Sequence, residues 1–391
     1  MFYADLHLHS RYSRATSREG TLVNFSRAAR RKGVAVLGTG DFTHPAWAAE
    51  LKDKLTDAGN GLLKLRPELK TEVDSRVPTA CRQDIDFILN VEISCIYKRD
   101  GAVRKVHALV FAPDFDAVDA INAALAKIGN LKADGRPILG LDCRDLLDIV
   151  LNASPNAWLV PAHIWTPWFS MLGSKSGFDS VNECFGDLAG EVFAAETGLS
   201  SDIPMNRLVS SLDRLALISN SDAHSPANLG RNATIFHGDP DYLAIRQALK
   251  TQSPTDFGGT LDLFPEEGKY HLDGHRACNV CLEPQQSREL NNLCPVCGKP
   301  LVLGVLHRVV ELADRTYDTL PPNPIPYTYI IPLPELLAEI NQCGATTKIV
   351  TRKYEALLAK YGPEDHILRT LDLTPLRRTD PLLAEALHRV R

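Results

Sequence analysis

This 391-residue sequence predicts an α/β barrel or doubly wound sheet, then a small zinc ribbon and a mostly helical C-terminal region. Three observations carry that prediction. Short β-rich runs alternate with amphipathic stretches from Met1 to about Phe264, and repeated β-then-α units build barrels or wound sheets. Histidines and carboxylates fall just after those runs, where a barrel places its chemistry. Four cysteines pair as Cys278-x2-Cys281 and Cys294-x2-Cys297.

Local pattern sets each element in turn. Met1-Phe2-Tyr3 opens an apolar strand that runs into Asp5-Leu6-His7-Leu8-His9. Period-two alternation puts both imidazoles on one face of that strand. A basic helix around Asn24 to Lys32 precedes a strand at 34–39. Further strands are expected at 86–91, 106–111, 157–161 and 215–219, where β-branched and aromatic residues gather. Helices are expected at 116–128, 143–151 and 242–250. Residues 265–275 read as a linker and 276–303 as the cysteine module. In the tail, proline suits the first turn of a helix running to about Asn341, and further helices are expected at 351–360 and 381–390. A breaker-rich stretch, 320–326, interrupts the tail. The expected division is a catalytic barrel at 1–268, a zinc module at 269–303 and a helical domain at 304–391.

An apolar fraction of 44% and a charged fraction of 23% are those of an ordinary globular protein. The net charge of −5 gives no global basic signal for nucleic acid, although a carboxylate-rich metal site can conceal a local basic groove. No signal-peptide pattern and no long apolar run is present, which argues against secretion and a membrane span. Nine cysteines in that setting point to a reducing compartment, where thiols bind metal or pack. A cytoplasmic protein with no membrane partner is expected.

Taken alone, His7 and His9 read more readily as surface histidines than as ligands. The wider set of Asp41, His44, Glu92, His107, His163, Asp222 and His224 points instead to a centre holding two or three divalent cations. Mixed nitrogen and oxygen donors favour zinc, manganese or iron over the all-oxygen preference of magnesium, which stays among the candidates. Glu92 is placed to bridge two cations through its two oxygens. Cys278, Cys281, Cys294 and Cys297 have the spacing of two knuckles around one structural zinc, which supplies folding energy that so small a module lacks. Cys81, Cys95, Cys143, Cys184 and Cys343 have no paired spacing.

The strings Asp5-x-His7-x-His9, Gly40-Asp41, Val91-Glu92, Val106-His107, Ala162-His163 and Ser221-Asp222-Ala223-His224 resemble, in order, the motifs of the PHP (polymerase and histidinol phosphatase) domain. That resemblance implies a distorted (β/α)7 barrel with three metals in a phosphoesterase site. It implies His7, His9, Glu92 and Asp222 for one metal, and Glu92, His107 and His163 for the second. The family's third site uses a histidine soon after the first motif and another just after the Asp41-type position. Here Ser10–Arg14 contains no histidine and Phe42 stands at the second place, leaving Asp41 and His224, with His44 as a substitute.

Longer strings resemble the endonuclease Q family within that class: Trp165-Thr166-Pro167-Trp168-Phe169, the run Gly173 to Asp179, the run Glu196 to Asp202, and the run Ser219 to Pro226. Members nick DNA on the 5′ side of deaminated bases and abasic sites, and carry a zinc module and a helical tail. The resemblance implies a metal-dependent DNA repair endonuclease with damaged DNA as its partner. It would hydrolyse the phosphodiester 5′ to uracil, hypoxanthine, xanthine or an abasic site, leaving 3′-hydroxyl and 5′-phosphate ends. The alternative is a PHP-type phosphatase or 3′–5′ exonuclease. The nearly complete ligand set counts against a non-catalytic binding module. A replication or repair protein partner stays open, with no motif for one.

Glu92, Asp222 and Asp202 are the candidate catalytic carboxylates. Asp202 reads as an acid, ligand or proton shuttle, or equally as a cap on the helix near Pro204. Arg11, two residues after His9, can reach a phosphate oxygen, and Lys175 sits in a Ser/Gly loop suited to phosphate. Trp165 and Trp168 follow a metal ligand, where they either stack on a flipped base or pack the barrel rim. Arg27, Arg30, Arg31 and Lys32 read as a solvated helix face.

Overall fold

The computed structural model describes residues 1–322 and 325–391. Asn323 and Pro324, inside the breaker-rich stretch, lie outside the described residues. Parallel pairing joins Phe2–Asp5 to Val34–Gly38 and Val34–Gly38 to Asp86–Arg99. Antiparallel pairing then adds Ala102–Ala112 and Trp158–Pro161. On the other side, Ala233–Phe236 runs antiparallel to the first strand and Phe257–Asp262 antiparallel to that. A separate parallel pair, Ala194–Glu196 with Ala216–Ile218, fills the remaining gap. Hydrogen bonds from Ile164 N to Glu196 O and from Thr234 Oγ1 to Ser219 O close the ring around that pair. The result is a distorted barrel with both parallel and antiparallel seams.

The antiparallel seam at Ala102–Ala112 has a local cause. Asp100 and Gly101 both have positive φ, 53° and 75°, so this Asp-Gly pair makes the primed turn that folds a long hairpin. The expected strand at 86–91 therefore continues to Arg99. Three strands of the ring, Ala194–Glu196, Ala233–Phe236 and Phe257–Asp262, go beyond the expected set, as do the short strands Leu55–Asp57, Leu63–Leu65 and Ile138–Leu139. Alternate residues of successive strands, among them Ala4, Val36, Ile88, Leu109, Val160 and Ile218, share one buried cluster inside the ring. Most of the remaining buried strand residues pack against the helices, as Leu37, Phe87 and Val110 do.

The expected linker at 265–275 is structured instead. It holds a short strand, Asp273–His275, whose Asp273 is fully buried. Asp273 accepts from Gly304 N at 2.6 Å and pairs with His307 Nδ1 at 2.6 Å, so the cysteine module is fastened to the Val305–Leu312 helix. The breaker-rich stretch leads into a strand, Tyr327–Tyr329, parallel to Phe257–Asp262 at the sheet edge. The helices Leu333–Ile340, Lys348–Tyr361 and Pro381–Arg389 share a third buried cluster. They rest on the barrel through Arg31 with Glu355 and Arg369 with Tyr3. Among the described residues no helix is long and apolar enough to cross a membrane.

Asp262 gives the fold a pH signature. Burial pushes its carboxyl up to about 6, assisted by the charge of Asp202 and opposed by hydrogen bonds from Thr260 and Ser219. The folded state thus holds this proton more tightly than the unfolded chain. The stability it contributes is complete below about pH 4 and is lost as pH rises through about 6. In Asp262→Asn the melting temperature relative to the parent should rise with pH across that window, by the equivalent of roughly 2–3 kcal/mol. A difference that stays constant from pH 4 to 8 in thermal melts would contradict the assignment.

Candidate metal centre

The mouth of the barrel is assembled from strand ends. Leu8 bridges Ala223, with His9 N donating to Ala223 O at 2.9 Å and Ala223 N to His7 O at 3.2 Å. The two alternating motifs at opposite ends of the barrel sequence therefore lie side by side. Leu6, just before His7, is held by side chains: its N–H donates to Asn220 Oδ1 at 2.8 Å and its carbonyl accepts from Asn90 Nδ2 at 2.6 Å. Asp41, His163 and Asp222 all take positive φ, at 52°, 28° and 47°. Such backbone is sparsely populated and persists where surrounding contacts over-determine it. Gly198 (φ +75°) lets the next loop pass against His163, where a Cβ would collide with its side chain.

Two groups of ligand atoms result, His7 with His9 and Asp222, and Glu92 with His107 and His163. Glu92 stands between them. Its Oε2 lies 3.6 Å from His7 Nε2 and 3.3 Å from His9 Nε2. Its Oε1 lies 2.7 Å from His107 Nδ1 and 3.0 Å from His163 Nε2. His9 Nε2 is 3.2 Å from Asp222 Oδ1. His7 Nε2, His9 Nε2 and Asp222 Oδ1 are buried with no hydrogen-bond partner among the described residues. Orphaned imidazole and carboxylate atoms converging in one pocket are what a divalent cation fits.

The electrostatics agree. Burial opposes a charged His7, yet Glu196, Asp222 and Glu92 outweigh it and hold its imidazole well above the ordinary value. Burial also opposes ionised Glu92, but His107, Arg136 and His7 keep it well below the usual carboxylate range. His107 goes the other way, with burial pushing it down to about 4. A cation binding here competes with protons on His7 and His9.

Several expected site residues take other positions. Asp41 stands behind His9 and is in neither candidate group. Its Oδ1 faces His9 Nδ1 at 3.3 Å, and its Oδ2 accepts from Ser10 N, Ser10 Oγ and Ser13 Oγ. It orients an imidazole, as carboxylates behind metal-bound histidines do. His224 lies beside His9, ring centroids 4.6 Å apart, and its Nδ1 hydrogen-bonds to the Asp222 carbonyl. Asp202 caps the Ile203–Arg207 helix through Met205 N, and its second oxygen accepts from Tyr329 OH at 2.6 Å. Both oxygens are thereby committed away from the cluster. Arg11 pairs with Glu50. Trp165 is 1% exposed, part of the core, and donates to Asn206 Oδ1 at 2.7 Å, so it offers no face to a base. Trp168 is 38% exposed, edge-on to Tyr270, and Lys175 is exposed. Phe169, with φ 62°, lays its ring 4.7 Å from that of His107.

Glu196 and Arg136 belong to the centre without having been singled out for it. Glu196 lies 3.0 Å from His7 Nδ1 and accepts from His163 N at 2.8 Å and Asn220 Nδ2 at 2.9 Å. Its place at the end of the short strand Ala194–Glu196 was the available signal. Arg136 Nη1 sits 3.1 Å from Glu92 Oε2, from a loop whose sequence announces nothing.

In the cysteine module the fourth member of the expected ligand group changes. His275, Cys278, Cys294 and Cys297 converge, all ligand atoms within 4.8 Å of one another, and Cys281 is not in the group. Cys281 lies exposed on the Val280–Leu282 strand, paired with Gly274. The knuckle is His275-x2-Cys278, with Asn279 in the left-handed region closing its turn. His275 keeps the same spacing to Cys278 as Cys281 does, which is the signal that sequence reading passed over. Three thiols and an imidazole are a common tetrahedral zinc set. The module also supports the loop after His163: Arg308, on the helix fastened to it, reaches Leu172 O at 3.0 Å and Asp179.

The two groups of donors at the barrel mouth agree with the metal-dependent phosphoesterase motifs that the sequence resembles. Over its whole length the chain is similar to endonuclease Q. It matches the lesion-specific endonuclease PfuEndoQ of Pyrococcus furiosus at TM-score 0.84 and 28% identity, covering 100% of this chain and 90% of that one. A structure of endonuclease Q in complex with a 27-mer duplex carrying an abasic lesion at its active site matches with TM-score 0.84 and 28% identity, over 99% of this chain and 91% of that one. Residues 332–391 match the family model of the MJ0043 C-terminal domain. The uncharacterized protein MJ0043 of Methanocaldococcus jannaschii is 33% identical over 236 residues, 58% of this chain but only 29% of that relative's length.

Two outcomes follow from this geometry. Cys281→Ser should keep its full zinc content by elemental analysis while His275→Ala loses it; the reverse pattern would restore the four-cysteine reading. Glu196→Gln should bind cations in the barrel roughly 10–100-fold more weakly in a calorimetric titration, because His7 loses the carboxylate fixing its ring. Unchanged affinity would remove Glu196 from that role.

Proposed function

We propose that the chain is a metal-dependent DNA repair endonuclease, a hydrolase of phosphodiester bonds acting on damaged DNA in the cytoplasm. The single observation that carries this reading is the pair of ligand groups joined through Glu92 within a fold that aligns end to end with endonuclease Q. The neighbour solved with an abasic duplex supports DNA as the partner. Cleavage falls 5′ to uracil, hypoxanthine, xanthine or an abasic site and leaves 3′-hydroxyl and 5′-phosphate ends. Residues 1–268 form the catalytic part, 269–303 the zinc module and 304–391 the helical domain.

His7, His9 and Asp222 would hold one divalent cation and Glu92, His107 and His163 a second, with His224 at the edge of the first. When bound, such a pair polarises the phosphodiester and lowers the pKa of water toward 7. The surrounding residues fix the ligands. Glu196 and Asp41 set the orientation of His7 and His9, and Phe169 packs on His107. Trp168, exposed at the rim, offers a face to an unstacked base, and Lys175 offers charge to the strand. Asp202, as cap and phenol acceptor, shapes the adjoining loop.

Duplex oligonucleotides carrying each lesion, incubated with manganese or magnesium, test the reading. The expected product is one internal nick at the lesion. Stepwise shortening from 3′ ends would indicate an exonuclease, and release of phosphate from monoesters alone a phosphatase. Asp222→Ala should lower cleavage by at least about 100-fold and keep duplex binding, since it removes a ligand and not a DNA contact. Parent-like cleavage in that variant would exclude this metal centre as the active site.

A further inference from the structure

The barrel mouth has places for two cations, while the side chains that would complete a third are diverted. Both Asp41 oxygens are taken, one by His9 Nδ1 and the other by Ser10 and Ser13. Phe42, at the position after Asp41, is fully buried in the core. His44 stacks on Tyr12, ring centroids 4.5 Å apart, and is in neither ligand group. A different cation stands at this end of the site.

That cation is Arg136. Its Nη1 meets Glu92 Oε2, and it is the one guanidinium among the described residues in ion-pair contact with either group. The loop that presents it is built for the purpose. Asp134 Oδ1 accepts from both Arg14 N and Arg136 N at 3.1 Å. Gly135 N donates to Tyr12 O at 3.0 Å, and Ser94 N to Pro137 O at 3.0 Å. Gly135 passes so close to Asp41 and Ser13 that a Cβ would collide with both. The loop is thus pressed against the Asp41 region and carries Arg136 to the bridging carboxylate. Among the described residues Glu92 is the side-chain acceptor of Arg136, and it takes one of five guanidinium donors.

We propose that Arg136 is a catalytic residue that stands in for a third cation. Its free donors bind a non-bridging oxygen of the scissile phosphate and stabilise the charge that develops there. Guanidinium suits this role because it is always charged and presents its donors in a planar fork. In the hydrolysis a water oxygen bonds to phosphorus, the bond from phosphorus to the 3′ oxygen breaks, and the departing oxygen takes up the proton the water gives up. Arg136 gains and loses no proton. The inference rests on the phosphodiesterase reading, so its test includes an arm that needs no turnover.

Arg136→Gln and Arg136→Lys should retain the parent's cation content by elemental analysis and its melting temperature. Inorganic phosphate should bind the cation-loaded Gln variant at least about 10-fold more weakly by calorimetry, with the Lys variant between. Turnover of the abasic duplex should fall by roughly 100- to 1,000-fold in the Gln variant, as for the loss of one charge-stabilising donor. Millimolar guanidinium should restore part of the activity of Arg136→Ala. Parent-like phosphate affinity in the Gln variant overturns the proposal, as does a third barrel cation in the parent, or loss of cations in the variant. If the parent binds phosphate through Arg136 yet nicks no lesion, the endonuclease reading fails and the assignment of Arg136 as a phosphate ligand survives.

Discussion

Glu92 is the constraint on which the rest of the site depends. A carboxylate removed from water is costly unless positive charge or hydrogen-bond donors surround it, and Glu92 is fully enclosed by His7, His9, His107, His163 and Arg136. It cannot satisfy all of them through hydrogen bonds alone, because it has two oxygens and the imidazoles arrive on both. The orphaned nitrogens of His7 and His9 are the consequence. Converging donors of this kind fit a cation, and each flanking residue reads as a device for holding them in place.

Those devices are mostly ordinary polar side chains. Asn90 and Asn220 replace ladder hydrogen bonds on either side of Leu6, so the first strand can end in two histidines without fraying. Asp5 accepts from Ser221 N and Oγ and from Gly230 N, which fixes the loop bearing Asp222. Positive φ at Asp41, His163 and Asp222 is strain that these bonds sustain. Farther out, Asp273 with His307 and Arg308 with Leu172 tie the zinc module to the loop behind His163. The module therefore acts on the barrel by packing as well as through whatever it binds.

Much was legible in the sequence because its chemistry is local. Alternation around His7 and His9 and around Asp222 and His224, the Val-Glu at 91–92 and the single histidines beside strands singled out the six residues of the two groups, and the PHP resemblance implied how they divide. Helix positions in the tail followed from proline and apolar spacing, and came within a few residues of Leu333–Ile340, Lys348–Tyr361 and Pro381–Arg389. Reading failed where a role is set by what lies opposite. Trp165 became core because Asn206 receives its indole N–H, and Arg11 was tied up by Glu50. Asp41 moved behind His9 because three serine donors claim its second oxygen.

By itself the sequence determined the class of chemistry: imidazoles and carboxylates at strand ends, two knuckle-forming motifs and a helical tail, since each is a property of residue type and spacing. Tertiary structure decided which donors converge. Cys281 has perfect spacing yet lies on a strand that carries it away, while His275 closes the zinc group. Arg136 has no motif, yet a loop pinned at Asp134 and Gly135 sets it on the bridging carboxylate. Spacing along a chain fixes only near neighbours, whereas a metal or phosphate site is a sphere filled from distant segments, and only the folded backbone chooses which of them reach it.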